Sequence, residues 1–332
     1  MRFLREIIGH ERIVTALTNA MVYERVAHAY LFAGPEGVGK ETTALAFVRA
    51  LMCSRPERGD ACGKCRECRQ VESRNHPDLN LLQPSGATIK IDQIRSVLRL
   101  VNYKSYQGGR KVYLVRRAEA MTAEAANCLL MTLEAPPENT VFILLSSRPW
   151  AMLPTVLSRC QQYHFKKIPV AGLVDHLVNR HGFNGKDARL YASLSGGSLG
   201  KALAWAAGTF QEDRNLGLEL AEKLSGAGLA EAMETAEKIS ISRDKVFTVL
   251  DMLSCWYRDV LVFRETGTEV ALFNRDRTEA LAGSAQRYET GRLVEIIESI
   301  EATRNKIEAN ANTRLAVEAL FLQLTGSDFG NN

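Results

Sequence analysis

Two groups of residues in this 332-residue sequence have the types and spacing to do chemistry. The first is Gly34-Pro-Glu-Gly-Val-Gly39-Lys40-Glu41-Thr42, which satisfies the first seven positions of the phosphate-loop pattern. Gly34, Gly37 and Gly39 would let backbone N–H groups cradle phosphate oxygens at a helix start, and Lys40 would place a cation near the terminal phosphates. At the eighth position a Ser or Thr hydroxyl normally holds magnesium, but here stands Glu41, whose carboxylate would crowd and repel phosphate; Thr42 comes one residue late. A glycine turn with no nucleotide is the alternative reading of the same residues. The second group is Cys53-x8-Cys62-x2-Cys65-x2-Cys68, four soft ligands whose tight spacing suits tetrahedral zinc. Four thiolates close the coordination sphere, so the metal is expected to be structural. Arg55, Arg58, Lys64, Arg66 and Arg69 surround the cysteines and argue against buried free thiols. They leave a DNA-contacting face or an ordinary solvated face open.

Hydrolysis at a phosphate loop needs an acid at the end of a second strand. The strand Val112–Val115 is instead followed by Arg116 and Arg117, which can neither bind magnesium nor act as a base, and Glu119 two residues on reads as a helix or loop surface residue. Ser158-Arg159-Cys160 follows a helix-like stretch. Arg159 alone reads as a structural salt-bridge residue unless the architecture points it at another subunit's nucleotide. Cys160 has no inferable histidine and acid around it and reads as a packed thiol, and Cys128 and Cys255 lie in apolar helical patterns as core residues.

The elements that must position these groups follow from periodicity. A helix through Ile13, Leu17 and Met21 precedes the apolar strand Ala29–Ala33, the glycine loop and a helix over Thr42–Met52. An amphipathic helix over Ile91–Val101, the strand at 112–115, a Thr122-capped helix over Ala123–Leu133, the strand Val141–Leu145 and a strand Gln162–Phe165 complete an α/β half. This alternation implies crossovers in a mainly parallel sheet with its ligand crevice at the strand C-termini. Beyond Phe165 the pattern is helical throughout: short helices over 170–180, 186–194 and 198–206, then longer ones over 244–266 and 292–324, with turns near 226–228 and at Gly267 and a frayed end over 326–332. The expected division is 1–166, 167–208 and 209–328.

Composition sets outer bounds. The chain is long enough for two or three cores, and 46% hydrophobic with 24% charged residues excludes a disordered or disulfide-stapled chain. A net charge of +4 assigns any polyanion contact to local patches. No apolar stretch approaches membrane-spanning length and Met1–His10 lacks a leader pattern, which gives the expectation of a soluble, cytoplasmic protein without membrane contact. Seven cysteines in a reducing compartment should stay thiols or bind metal.

Taken together, these residues make the sequence similar to the delta-prime subunits of the bacterial DNA polymerase III clamp loader, within the AAA+ superfamily. The resemblance runs over nearly the whole chain, through Ile8-Gly9-His10, His28-Ala29-Tyr-Leu-Phe-Ala-Gly34, the four-cysteine module and His76-Pro77-Asp78. It continues through Ala125-Ala126-Asn127, Thr132-Leu-Glu-Ala-Pro-Pro137, the Ser158-Arg159-Cys160 motif, Gly197-Ser198-Leu199 and Asn310-Ala-Asn-Thr-Arg314. It implies an AAA+ α/β domain with an inserted zinc module, an all-α lid and an all-α collar for oligomerisation. The hydrolysing gamma and tau relatives carry two acids where this chain has Arg116-Arg117, and a lid arginine where it has Gly200. With Glu41, those departures imply a delta-prime-like stator, able to bind ATP without turnover, that supplies Arg159 in trans to ATP on a neighbouring subunit. The implied partners are gamma or tau and delta subunits and, through the complex, the sliding clamp and primer-template DNA; polymerase activity resides in other subunits of the holoenzyme. Two other readings compete: a self-sufficient gamma/tau-like ATPase using Lys40, Thr42 and Glu119, and a zinc-module DNA-binding protein.

Overall fold

A computed structural model describes residues 3–101, 103, 105–206, 210–224, 229–240, 242–269, 272–309 and 311–325. The chain divides into two compact units, Met1–Leu203 and Ala204–Asn332.

The first unit is built on five strands: β1 (Ala29–Ala33), β2 (Leu79–Leu82), β3 (Lys111–Val115), β4 (Thr140–Ser146) and β5 (Gln161–His164). They pair in the order β2-β3-β4-β1-β5, and every pair is parallel. Apart from Lys111, Thr140 and Ser146 at strand ends, the three inner strands are apolar because both faces are covered. Tyr30, Phe32, Val112, Leu114, Val141, Ile143 and Leu145 point into one core with α2 (Lys40–Met52) and α1 (Glu11–Val22). Their alternates Leu31, Tyr113, Val115, Phe142 and Leu144 point into the other, against α4 (Ile91–Val101) and α5 (Ala123–Glu134). The edge strand β5 reads Gln-Gln-Tyr-His and is mostly exposed, as an edge tolerates. Thr122 caps α5 by accepting from the Ala125 N–H at 3.3 Å.

Two elements are absent from the periodicity reading. The short strand β2 follows a helix α3 (Arg66–Glu72) that grows out of the cysteine cluster; neither is long enough to show a period. Asp78, buried just before β2, accepts from the Ser105 hydroxyl at 3.0 Å and from the Tyr106 and Gln107 N–H groups at 2.9 and 3.1 Å. A single carboxylate thereby ties the loop between α4 and β3 to the sheet edge. A short helix α6 (Pro154–Leu157) precedes β5, and helices α7 (Val170–His181), α8 (Gly185–Leu194) and α9 (Leu199–Ala206) follow it. Ile168, Leu173, Leu177, Ala188, Ala192, Leu199 and Ala202 make a small core of their own among these three helices.

The second unit is helical, with α10 (Phe210–Leu224), α11 (Leu229–Ile239), α12 (Arg243–Thr266), α13 (Thr278–Arg287), α14 (Thr290–Glu308) and α15 (Thr313–Leu324). The single helix expected over 292–324 is two helices. Asn312 ends the run by capping α15, its side-chain oxygen accepting from the Leu315 N–H at 3.1 Å. The turn expected near 226–228, the boundary at 209, Asn310 and the end 326–332 lie outside the described residues. Trp256, Tyr257, Phe321, Leu253 and Ile300 are buried at the centre of this bundle. Asp259, fully buried on α12, accepts from the Phe273 and Asn274 N–H groups, the Asn274 amide and Arg258 at 2.7–3.1 Å. Removing that carboxylate strands four donors. Asp259→Ala should therefore cost about 3 kcal/mol of stability, read as an early loss of helical signal in urea unfolding.

Candidate functional site

The three inner strands end side by side, and a cavity of about 610 Å³ opens above their C-termini. Its walls come from the loop after β1 (residues 36–42), from Arg116, Arg117 and Glu119 after β3, and from Ser146 and Ser147 at the end of β4. Ile7, Ile8, Ile168, Leu199 and Leu203 close it with an apolar side. The glycine loop forms the turn the pattern requires, and Gly39 sits at φ 103° as the residue before α2.

The predicted loop residues are brought together, each with a specific partner. The Gly34 N–H donates to the Ser146 carbonyl at 3.1 Å, tying the loop to β4. Lys40 folds back over the loop: Nζ donates to the Gly34 and Pro35 carbonyls at 2.5 and 2.6 Å. Burial lowers its pKa, and the nearby Glu36 and Glu119 carboxylates oppose that shift. Thr42 lines the cavity, while the Thr43 hydroxyl donates to the Gly39 carbonyl at 2.9 Å and secures the first turn of α2. Gly37 meets α9 directly: its carbonyl accepts from the Gly200 N–H at 3.0 Å. A Cβ at Gly37 would lie 2.0 Å from the Ser198 hydroxyl, and one at Gly200 would lie 3.2 Å from the Gly37 Cα. The missing side chain at Gly200 is what lets the helix start rest on the loop. His10 adds a third tie through Nε2 and the Val38 carbonyl, 2.8 Å apart.

Glu41 behaves differently from the sequence expectation. Its carboxylate is paired with the Arg116 guanidinium and lies 3.6 Å from Arg74, so it is drawn toward the β2–β3 side and neutralised there. Arg116 also donates to the Gln83 side chain at 3.0 Å. Two departures that read as independent in the sequence, at positions 41 and 116, are one ion pair. No local pattern links residues 75 positions apart; only the parallel order of β1 and β3 does. Glu119 is likewise misplaced by the sequence reading. It is no free surface residue but part of the cavity wall, accepting from the Ser147 hydroxyl at 2.7 Å and the Ser147 N–H at 3.2 Å. Burial pushes its pKa up, and the hydrogen bonds from Ser147 and neighbouring groups outweigh that and leave it lowered, so it stays ionised.

Arg159 lies outside this cavity. Cys160 is buried against the sheet, its thiol pushed up to about 12 by burial, which anchors the turn after α6 as a packed thiol does. Arg159 faces outward, donating to the Thr155 carbonyl at 2.9 Å and the Ser158 hydroxyl at 3.2 Å, and pairs with Glu134 at 2.7 Å. Cys128 and Cys255, expected in the core, are only partly buried, Cys128 packing against the core on the α5 side of the sheet.

Cys53, Cys62, Cys65 and Cys68 converge, with all four sulfurs within 4.8 Å of one another, an arrangement that can hold a metal ion. The Cys53 and Cys65 sulfurs are 3.9 Å apart, against about 3.8 Å expected for thiolates at 2.3 Å on a tetrahedral centre. Backbone N–H groups of Cys62, Lys64, Cys65 and Cys68 point at the sulfurs at 3.3–3.5 Å. Those from Lys64 and Cys65 help hold the Cys62 thiol down at about 6, while burial raises Cys53 and Cys68. Asp60 docks the cluster on the chain start by accepting from the Leu4 and Arg5 N–H groups, each at 3.2 Å.

Residues 9–169 match the family described as DNA polymerase III, delta subunit, and residues 214–326 match its C-terminal counterpart. The chain is 31% identical to DNA polymerase III subunit delta' of Bacillus subtilis, with 94% of this chain and 95% of that protein covered. It is 32% identical to the Pseudomonas aeruginosa subunit delta', covering 90% and 91%. The chain belongs to the DNA polymerase III delta-prime family. Over 60% of its length it also aligns at 34% identity with 32% of the Escherichia coli subunit tau. Within the delta-prime family assignment, the cavity is the feature that asks for explanation, since its loop keeps the phosphate-cradling shape without the usual magnesium ligands.

The Gly37 contact gives a direct check on the packing of α9 against that loop. Gly37→Ala should destabilise the chain by about 2 kcal/mol, through the clash with Ser198 and the positive φ of 72°. Adding Ser198→Ala should recover part of that loss, a coupling measurable in a double-mutant cycle of thermal unfolding.

Proposed function

We propose that the chain is the non-hydrolysing stator of a DNA polymerase III clamp loader and supplies Arg159 as an arginine finger to ATP held by an adjacent gamma or tau subunit. The observation that carries the reading is the pairing of Glu41 with Arg116. A hydrolytic site needs a hydroxyl at the first of these positions and an acid at the second, both ligands of magnesium. Here a guanidinium, which has no acceptor atom, stands in the acid's place. Glu119, the remaining acid of the ATPase reading, lies beyond the two positions directly after β3 and has its Oε1 engaged by Ser147.

Arg159 supports the donor half of the reading. It does not line the chain's own cavity, and its partner Glu134 is half exposed, as is Arg159 itself at 35%. An exposed pair of this kind is worth about 0.5 kcal/mol, so Arg159 can exchange Glu134 for a phosphate at small cost. Met131, one turn before Glu134 on α5, is 74% exposed and would be covered by a neighbouring subunit.

In this reading residues 1–166 form the AAA+ domain, 167–208 the lid and 209–328 the collar through which gamma or tau and delta subunits assemble. Clamp and primer-template DNA are met through the complex, in the cytoplasm. The four cysteines hold structural zinc; four thiolates leave no open position for chemistry, so the ion's contribution is to fold residues 53–68. The cavity retains room for an unhydrolysed ATP.

Two measurements test this. In a complex reconstituted with gamma and delta subunits, Arg159→Ala should remove the DNA-stimulated turnover of the adjacent gamma site by about 10³-fold while assembly on gel filtration is unchanged; full turnover would overturn the donor role. The purified chain should carry one zinc ion by metal analysis, lost in Cys65→Ser. Because Asp60 joins the module to Leu4 and Arg5, metal removal should speed amide exchange over residues 3–6 and 53–68 and leave the inner strands protected.

A further inference from the structure

The phosphate-type loop and the four-cysteine module lie at opposite ends of one helix. α2 starts at Lys40, ends at Met52 and is followed at once by the ligand Cys53. Thirteen helical residues span roughly 20 Å, and none of the four cysteines lines the cavity.

Residues 3–10 bridge the two ends. On the module side Asp60 is buried, and its carboxylate accepts from the Leu4 and Arg5 N–H groups at 3.2 Å each and from the Ala61 N–H at 2.8 Å. Phe3 packs on the cluster of Cys53, Ala61 and Cys68, under the Arg5 guanidinium 4.1 Å from its ring centroid. The seat is tight, since a Cβ at Gly63 would lie 2.7 Å from the Phe3 ring. Leu4 is fully buried in the core that α2 shares. On the cavity side Ile7 and Ile8 belong to the apolar wall, and Ile8 packs on the small core of Ile168, Leu173 and Leu199. The buried His10 ring then donates through Nε2 to the Val38 carbonyl of the loop.

These contacts close a circuit. It runs from Val38 along α2 to Cys53, through residues 54–61 to Asp60, by hydrogen bonds to Leu4 and Arg5, along the chain to His10, and back to Val38. Its least regular part is the stretch 54–61, which is outside any helix and has a single β-bridge, between Glu57 and Asp60. Cys53 and Cys62 flank that stretch. A metal ion held by both closes it into a loop and fixes Asp60, whereas without metal it rests on the bridge and on the close approach of Gly59 to the Thr18 carbonyl.

We propose that metal in the four-cysteine module shapes the cavity: by fixing the turn that carries Asp60 it seats residues 3–10, and through them the wall residues Ile7 and Ile8 and the His10 tie to the loop. Asp60 is then a positioning residue for the cavity. The inference rests on the reading that the cysteines hold zinc, and gives that zinc a role beyond folding residues 53–68.

Methyl NMR of the full chain labelled at isoleucine, with metal analysis alongside, tests it. Ile7, Ile8 and Ile168 report the wall, and Ile143 on β4 reports the sheet. Removing zinc with a chelator should shift the Ile7 and Ile8 signals and speed amide exchange at Glu6 and Ile7 about tenfold or more, while Ile143 stays in place. Asp60→Ala with one zinc still bound should shift Ile7 and Ile8 in the same direction and leave exchange over residues 62–68 as slow as in the unaltered chain. Asp60→Asn, which keeps one acceptor oxygen, should shift them part of the way. Phe3→Ala touches no ligand and loosens the same seat, so it should act like Asp60→Ala and serves where that variant fails to fold. Changes on chelation confined to residues 53–68 would overturn the proposal and leave the zinc reading standing. A purified chain without zinc would overturn that reading and the proposal together. Unmoved Ile7 and Ile8 signals in zinc-bound Asp60→Ala would remove Asp60 from the role assigned to it. The comparison with and without metal needs no variant.

Discussion

A carboxylate placed at the start of a helix, beside a loop shaped for phosphate, has to be neutralised or it empties the site. In this protein Arg116 does that from the end of β3, reaching Glu41 across the face of the cavity. The pair depends on the sheet: β1 and β3 flank β4 in parallel, so the loop after one strand opens beside the loop after the other. It also sets much of what surrounds it. Once Glu41 is held toward Arg116 and Arg74, the loop backbone is free of its charge, and Lys40 can settle on the loop's own carbonyls. Arg159 does not line this cavity and lies on a different surface, paired with Glu134.

Several contacts made by the protein itself join the walls of the cavity. The Gly37 carbonyl and Gly200 N–H join the loop to α9, His10 and the Val38 carbonyl join it to the chain start, and Glu119 and Ser147 join the ends of β3 and β4. The His10 contact is buried and the Glu119 contact partly so, which makes them worth more than surface contacts of the same length. The cavity is thus held in shape from all sides before any ligand arrives. Preorganisation of this kind lowers the ordering cost of any contact made at the wall.

Much of the fold was legible in the residues. The inner strands are apolar over most of their length because both sheet faces are covered, and the loop, the Thr122 cap and the cysteine spacing each follow from local chemistry. What escaped was non-local or too short to carry a period. Strand β2 has four residues, and α3 seven, within a segment dominated by metal-ligand spacing. Glu119 reads as surface because its hydrogen-bond donor, Ser147, is 28 residues away on another strand. The break between α14 and α15 escaped because the apolar period continues across it, and only the capping geometry of Asn312 separates a long helix from two. Glu41 and Arg116 were each noticed as departures, and their meaning lay in the pairing.

That pairing also changes what a degenerate motif says about its history of use. A loop that had merely lost its ligand would be free to drift at every position that packing does not fix. Here packing accounts for Gly37, which lies under Ser198, and a φ of 103° accounts for Gly39, while the ion pair joins the two remaining departures at positions 41 and 116. A substitution that swaps a metal-binding hydroxyl for a carboxylate should by itself repel phosphate; joined to a cation at the former acid's position, it restores local neutrality. Two changes that are each unfavourable alone and compatible together define a constraint on the pair, and that constraint acts on the charge inside the cavity.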